Sequence, residues 1–140
     1  MREIFIDTNV IFDLLLGREP YSKYSYTLFD YAIRNDIVLN TCSFSYPSLY
    51  YVLKKKFSHE YIIHDLIWVS TVTKCLPVNE NVVKQALESK FHDFEDAIQY
   101  FCALQIPKCE VIITRDKRGF RSSTLRVRTP EVFLIEEKIM

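Results

Sequence analysis

The chain has 140 residues, of which 49% are hydrophobic and 26% are charged, and its 18 Lys and Arg residues balance its 18 Asp and Glu residues. This size and composition are ordinary for a soluble globular protein, and we interpret residues 1–140 as a single domain. The zero net charge argues against binding of nucleic acid by bulk electrostatics, but it allows a local basic patch beside an acidic one. No apolar stretch approaches the roughly 18 residues that span a bilayer, so no membrane partner is expected.

The cysteines and histidines form no recognised metal-binding pattern. Cys42, Cys75, Cys102 and Cys109 contain no C-x-x-C pair, and the three histidines fall at no recognised zinc spacing. With no signal peptide ahead of them, the cysteines are expected to be buried, reduced thiols. These features predict a cytoplasmic protein.

The first half of the chain alternates strand and helix patterns. The apolar run Glu3–Ile6 predicts a short buried strand, and Asp7 or Thr8 is suited to cap a short helix that ends before Gly17. The next predicted elements are helix Tyr21–Arg34, strand Asp36–Thr41, helix Tyr46–Lys56 with Pro47 in its first turn, and helix Glu60–Val72.

The second half continues the alternation. Its predicted elements are strand Lys74–Val78, helix Glu80–Ser89, helix Asp93–Gln105, strand Glu110–Thr114, strand Arg126–Thr129 and a terminal helix that starts at Pro130. Strands that alternate with helices predict an α/β fold in which helices cover both faces of a parallel sheet.

Acidic residues follow two strands of the predicted sheet. Asp7 comes directly after Glu3–Ile6, and Asp116 comes shortly after Glu110–Thr114. In open α/β sheets, functional residues lie beyond the carboxyl ends of the strands. Both aspartates are therefore expected at this edge of the sheet.

A second acidic group lies at the start of the helix predicted over Asp93–Gln105. Asp93 and Asp96 are three residues apart and share a helix face that borders the buried stripe, whereas Glu95 is expected to point outward. Carboxylates at such a boundary are costly unless they are paired or bind a cation. Mg²⁺ prefers oxygen ligands and suits phosphate substrates, and two such ions would activate a water and stabilise the leaving oxygen of a phosphodiester.

Each of these acids also has a purely structural interpretation. Asp7 is a favoured helix cap, Asp93 with Asp96 resembles a capping pair, and Asp116 suits a turn. Any one of them alone is more often structural. Their joint placement at strand and helix ends of one sheet favours a functional site.

Basic residues surround Asp116. Arg115, Lys117 and Arg118 open a segment that also contains Arg121, Arg126 and Arg128. Cations of this kind let a phosphate backbone approach an acidic site. A solvated surface loop explains the same segment equally well.

Three stretches resemble the PIN domain family in their order and spacing: IFIDTNVIFDLL, DFEDAIQYFCA and VIITRDKRGF, followed by RVRTPEVFL. The resemblance covers nearly the whole chain. It implies a three-layer α/β/α sandwich around a parallel sheet, commonly of five strands. It also implies a Mg²⁺- or Mn²⁺-dependent endoribonuclease. Small bacterial members are often toxins of type II toxin–antitoxin pairs, so the expected partners are RNA, an antitoxin protein and a second copy in a homodimer.

The resemblance also implies roles for individual residues. The family's metal ligands correspond to Asp7, Asp96 and Asp116. Asp93 matches a frequent additional acid, which would bind the metal or orient the attacking water. Asn9 and Thr114 match small polar residues that support the site. In the ribonuclease hypothesis, the basic residues Arg115, Lys117 or Arg118 would contact flanking phosphates.

One departure from the family lies on the helix after the second strand. The family usually has Glu at the start of this helix, where the present chain has SFSYPSLYYVLKK, and Ser48 stands in the place of the Glu. The alternative function is therefore a degenerate PIN domain that binds RNA or protein without cutting. A phosphatase with Asp7 as nucleophile is disfavoured, because Asn9 cannot act as the general acid two residues later.

Overall fold

The computed structural model describes residues 1–140 as a five-stranded sheet with seven α-helices and one short 3-10 helix. The strands are β1 (Glu3–Ile6), β2 (Val38–Cys42), β3 (Lys74–Leu76), β4 (Cys109–Ile113) and β5 (Val127–Arg128). The α-helices are α1 (Thr8–Leu16), α2 (Ser22–Arg34), α3 (Ser45–Leu53), α4 (His59–Val72), α5 (Glu80–Leu87), α6 (Phe94–Ala103) and α7 (Pro130–Glu136), and the 3-10 helix spans Lys117–Phe120.

The sheet is entirely parallel, with the strand order β3-β2-β1-β4-β5. β1 lies at the centre, and the chain builds outward from it first on one side and then on the other. The carboxyl ends of β1 and β4 therefore flank the point where the strand order reverses, which is where open α/β sheets form a crevice. The prediction of a five-stranded parallel sheet is confirmed.

Helices cover both faces of the sheet and give three layers. Ile4 and Ile6 face a core shared with α1, α2, α3, α4 and α7. Phe5 points to the opposite face, where it joins a core shared with α5, α6 and Phe120 of the 3-10 helix. These side chains are fully buried, and each contributes about 2–3 kcal/mol through the hydrophobic effect. The alternation along β1 thus explains both the apolar run and the sandwich.

Three strands are shorter than predicted: β2, β3 and β5, of which β5 keeps only Val127–Arg128 of the predicted Arg126–Thr129. The reason is identifiable for two of them. Asp36 has a φ of 53°, which is incompatible with a strand, so β2 begins only at Val38. β3 ends at Leu76 because the next residue, Pro77, has no N–H to donate to the ladder.

The longest helix, α4, has 14 residues, and no helix could span a membrane. All four cysteines are free thiols, as expected. Cys42 and Cys102 are buried, but Cys75 on β3 is exposed, contrary to the expectation that all would be buried.

Candidate active site

A cavity of about 200 Å³ opens at the carboxyl edge of the sheet, and we call it the acidic cavity. Its lining residues are Asp7, Thr8, Asn9, Phe12, Asp93, Glu95, Asp96, Gln99 and Asp116. Five of these nine carry carboxylates, and none is Lys, Arg or His. The structure therefore brings together the predicted acids from three distant parts of the sequence, with no cationic side chain among them.

Asp7 is the most deeply placed of these acids, with only 5% of its surface exposed. Its Oδ1 accepts hydrogen bonds from the Asn9 amide at 3.2 Å and from Gln99 Nε2 at 3.0 Å. Its Oδ2 accepts a hydrogen bond from Thr114 Oγ1 at 2.6 Å. Burial raises the pKa of Asp7, the hydrogen bonds from Thr114, Gln99 and Asn9 oppose this effect, and the charge of Asp116 adds to it.

Gln99 was missed by the sequence analysis, yet it fixes the position of Asp7 relative to α1. This residue is 2% exposed, and its Oε1 accepts from the Thr8 amide at 2.9 Å and from Thr8 Oγ1 at 3.1 Å. Thr8 Oγ1 in turn lies 2.7 Å from Ser45 Oγ on α3. Gln99 follows Asp96 by three residues on α6, so helical spacing already placed its side chain beside that of Asp96.

Asp96 lies in the first turn of α6 and is partly buried. Its pKa is raised to about 7, first by burial and then by the negative charges of Asp7, Asp93, Asp116 and Glu95. A carboxyl group that titrates so near neutrality shows that the negative charge of the cavity is not compensated by the protein itself.

Gly119 in the 3-10 helix packs directly against Asp96. A Cβ atom at Gly119 would collide with Oδ2 of Asp96. The absence of a side chain at this position therefore lets the 3-10 helix approach α6 and confines the Asp96 carboxylate from one side.

Asp93 and Asp116 each cap a helix that begins at the cavity. Asp93 Oδ1 accepts from the Asp96 amide at 2.9 Å, and Asp116 Oδ1 accepts from the Arg118 amide at 3.2 Å. Asp7 likewise caps α1. The structural interpretation of Asp93 and Asp116 and the functional one are thus compatible, because the cap engages one carboxylate oxygen and leaves the other free to meet a ligand. In Asp7 the second oxygen, Oδ2, accepts one hydrogen bond from Thr114 and keeps a further lone pair for a ligand.

Asn9 and Thr114 join the loop after β4 to the start of α1. Asn9 Nδ2 donates to Thr114 Oγ1 at 3.4 Å, and Asn9 Oδ1 accepts from the Arg115 amide at 3.3 Å. Thr114 Oγ1 also accepts from the Asp116 amide at 3.1 Å. These bonds hold the backbone of Asp116 near Asp7.

The three predicted RNA-binding cations occupy different environments. Arg115 donates to the buried Asp13 from Nε at 2.8 Å and from a terminal nitrogen at 3.3 Å, and its guanidinium lies 4.3 Å from the Tyr21 ring centre. Arg118 lines a second cavity, whereas Lys117 is exposed and lines neither cavity.

This second cavity adjoins the acidic one and shares three of its aspartates. Asp93, Asp96 and Asp116 line both cavities. The second cavity adds the positively charged side chains of Arg118 and Arg121, together with His92. Negative charge is thus concentrated at the crevice, and positive charge lies along one side of it.

Glu95 is exposed, as the sequence pattern predicts. Its side chain also lines the acidic cavity, which the sequence analysis did not foresee. Burial raises the pKa of Glu95, the charges of Asp93 and Asp7 raise it further, and a side-chain hydrogen bond to Ser48 lowers it. Glu95 is the second residue of α6, and its exposed side chain contributes to the wall of the cavity.

The donor set suits a hard divalent cation, although the side chains are not gathered into a finished coordination sphere. No three His, Cys, Asp or Glu side chains lie close enough together to hold an ion as they stand. Carboxylate oxygens are nevertheless the preferred ligands of Mg²⁺, which also retains several waters and so does not require every ligand to bind directly. The neighbouring acids contribute to the raised pKa of Asp96, and a bound cation would offset their negative charge and lower that pKa.

The sequence and fold of this chain match known proteins. A family model described as PIN domain matches residues 3–118. The chain is 31% identical over 136 residues to "Ribonuclease VapC1" of Aquifex aeolicus (strain VF5), and the match covers 94% of this chain and 92% of that relative.

Solved structures share the fold at low sequence identity. A structure of VapBC2 from Rickettsia felis bound to a promoter DNA fragment matches with a TM-score of 0.70 and 12% identity, over 91% of this chain and 98% of that one. A toxin–antitoxin complex from Klebsiella pneumoniae matches with a TM-score of 0.62 and 18% identity, over 91% and 97% of the two chains. The family-model match and the Aquifex relative establish that this chain belongs to the PIN domain family.

Proposed function

We propose that this protein is a divalent-cation-dependent endoribonuclease that cleaves RNA phosphodiester bonds. The observation that carries the proposal is the acidic cavity, in which Asp7, Asp96 and Asp116 meet at the switch point of the sheet without a neutralising side chain. The similarity to a relative named as a ribonuclease supports the same activity.

Each acid has a distinct role in the proposal. Asp7, Asp96 and Asp116 would hold Mg²⁺ or Mn²⁺, directly or through water, and Asp93 would bind the same ion or orient the attacking water. When bound, the cation would supply positive charge to the scissile phosphate and promote ionisation of the water. Thr114 and Gln99 keep both Asp7 oxygens in fixed directions through their hydrogen bonds.

The RNA backbone would cross the adjoining cavity. Arg118 is placed to contact a phosphate next to the scissile one, and Lys117 adds an exposed charge beside it. Arg115 is paired with Asp13 and keeps 32% of its side chain exposed, so it would meet phosphate only along that exposed edge.

Cleavage of a labelled single-stranded RNA tests the proposal. We expect cleavage with Mg²⁺ or Mn²⁺, none with EDTA, and a loss of at least about a hundredfold in Asp7→Asn, because Asn keeps the helix cap but removes the charge. Asp36→Asn is the matched control, since Asp36 is an exposed aspartate at the opposite end of the sheet and Asn tolerates its positive φ. Equal cleavage by wild type and Asp7→Asn would identify a contaminating nuclease and refute the proposal.

A second candidate function follows from Ser48, which occupies the place of the family Glu. In that case the protein is a degenerate PIN domain that binds RNA or a protein partner without cutting. Calorimetry with Mn²⁺ distinguishes the two functions. Absence of Mn²⁺ binding together with intact RNA or partner binding favours the degenerate domain.

We further propose that the protein is the toxin of a type II toxin–antitoxin pair, as in the similar complex from Klebsiella pneumoniae. An apolar groove between α2 and α4 is a suitable site for an antitoxin segment, because five of its six lining residues are hydrophobic: Leu14, Tyr26, Phe29, Ile33 and Trp68. Tyr26 and Ile33 are 64% and 52% exposed in the isolated chain, so a partner would cover substantial apolar surface.

Co-purification with the product of an adjacent reading frame tests the antitoxin proposal. Ile33→Asp should abolish the complex and leave RNA cleavage intact, since Ile33 is remote from the acidic cavity. A complex that survives this change would exclude the groove. The homodimer expected from the family resemblance stays a prediction, which sedimentation of the isolated protein tests.

A further inference from the structure

We propose that Glu95 supplies the carboxylate that other PIN domains provide from the helix after the second strand. This inference rests on the proposed function, because it assigns a further ligand to the same metal site. It also explains how the chain could retain that site with Ser48 on α3.

The position of Glu95 is the first argument. Glu95 and Asp96 are consecutive in the first turn of α6, and both line the acidic cavity with Asp7 and Asp116. The cavity thus has a carboxylate beyond the four acids that the sequence analysis selected. Glu95 is exposed and its long side chain lines the cavity, so its carboxylate has the freedom to approach a bound ion.

The contact with Ser48 is the second argument. Ser48 lies in the first turn of α3, and an interaction between its side chain and the Glu95 carboxylate favours the charged form of that carboxylate. A Glu at position 48 would direct its own carboxylate into the same space. The small side chain of Ser48 therefore leaves room for the Glu95 carboxylate, which extends from α6, and also interacts favourably with it.

A simpler role for Glu95 does not account for its orientation. A Glu in the first turn of a helix is favoured by the helix dipole wherever its side chain points. Here the side chain lines a cavity that already holds the carboxylates of four aspartates, although Glu95 is exposed and has solvent available to it. A bound cation would turn this repulsive arrangement into a favourable one.

Mn²⁺ calorimetry on the full-length protein tests the inference with a readout other than cleavage. We expect Glu95→Gln to weaken Mn²⁺ binding by about tenfold or more. The double variant Ser48→Glu/Glu95→Gln should bind within about threefold of wild type, because the carboxylate returns from α3. Glu60→Gln is the matched control, since Glu60 lies in the first turn of α4 and lines no part of the cavity, and it should bind as wild type does.

Two results would overturn the inference. Wild-type affinity in Glu95→Gln would show that Glu95 is not a ligand, and a loss that the double variant does not recover would show that the two positions are not equivalent. Loss of Mn²⁺ binding in Asp7→Asn, with full binding in Glu95→Gln, would leave the proposed metal site standing and remove only this inference. Absence of Mn²⁺ binding by the wild type would overturn both. Thermal unfolding in EDTA confirms that each variant is folded.

Discussion

Replacement of Asp96 by Asn should stabilise the metal-free protein at neutral pH, even though Asp96 belongs to the proposed metal site. Burial and the charges of Asp7, Asp93, Asp116 and Glu95 raise the pKa of Asp96 from 3.8 to about 7. Between these two values the native state holds a proton that the unfolded state has released, so the free energy of unfolding of the wild type falls as the pH rises. Asn carries no charge, and the variant therefore escapes this loss.

The size of the expected stability difference between Asp96→Asn and wild type follows from the shift in the pKa of Asp96. A difference of about three between the two pKa values corresponds to about 4 kcal/mol. Asp96 is only partly buried, so solvent screening reduces this figure to about 2 kcal/mol. The variant also loses about 0.5–1 kcal/mol of favourable interaction between the charge and the dipole of α6. We expect Asp96→Asn to be more stable than wild type by about 1 kcal/mol at pH 8 and to be indistinguishable from it at pH 4.

Urea unfolding followed by circular dichroism, in EDTA at pH 4, 6 and 8, measures this difference. A variant that is less stable than wild type at pH 8 would refute the reasoning, because it would mean that the protein compensates the charge of Asp96 on its own. Added Mn²⁺ should reverse the order of stability at pH 8, because a ligand that binds only the wild-type native state stabilises it in proportion to its affinity.

Four further predictions concern the surroundings of the acidic cavity. Gly119→Ala should lower Mn²⁺ affinity and RNA cleavage by about tenfold with little change in melting temperature, because the added Cβ displaces the Asp96 carboxylate; unchanged affinity would show that the 3-10 helix does not position it. Gln99→Leu should lower the free energy of unfolding in urea by about 2–3 kcal/mol, because the buried Thr8 amide loses its acceptor. Mn²⁺ affinity measured by calorimetry should fall as the pH drops below about 7, since protonation of Asp96 competes with the metal. Arg118→Ala should weaken RNA binding to a similar extent for every RNA sequence and reduce the slope of log affinity against log salt concentration by about one. An unaltered slope would exclude a contact between Arg118 and an RNA phosphate.

The sheet could be predicted because its strands are buried on both faces and therefore appear as apolar runs. The runs at β1 and β4 are the clearest, and both were placed correctly at their centres. The strand order did not follow from these patterns, which carry no information on neighbours. The alternation of strands and helices predicted a parallel sheet covered on both faces, and the number of strands came from the family resemblance. The end of β2 near Asp36 was misplaced because a left-handed residue leaves no mark in hydrophobic periodicity.

The candidate site was predictable only in part. Asp7 and Asp116 were expected at the sheet edge from the direction of parallel strands, and helical spacing placed Asp96 near the buried face. Gln99 was overlooked because a polar residue on a buried helical face looks like an ordinary surface position until its partners are known. Glu95 is exposed as expected, but its contribution to the cavity wall was missed, because the direction of a long side chain in a first turn depends on the elements that surround it.

The importance of Gly119 also lay beyond the sequence. Gly119 lies in a 3-10 helix that hydrophobic periodicity does not predict. Its role depends on how closely that helix approaches α6. Close contacts between elements distant in the chain are tertiary features, so a lone glycine gives no sign of them.

Asp7, Asp93 and Asp116 each cap a helix in addition to the role proposed for them in catalysis, and this limits how the proposed activity could be lost over evolutionary time. A change to Ala at any of these positions would remove a helix cap, at a cost of about 1 kcal/mol of stability, as well as a charge, and selection for a folded chain would oppose it. A change to Asn preserves the helix cap but removes the negative charge of the carboxylate. An inactivated descendant should therefore carry asparagine at these positions, and a descendant that carries alanine should show a compensating change elsewhere in the same turn.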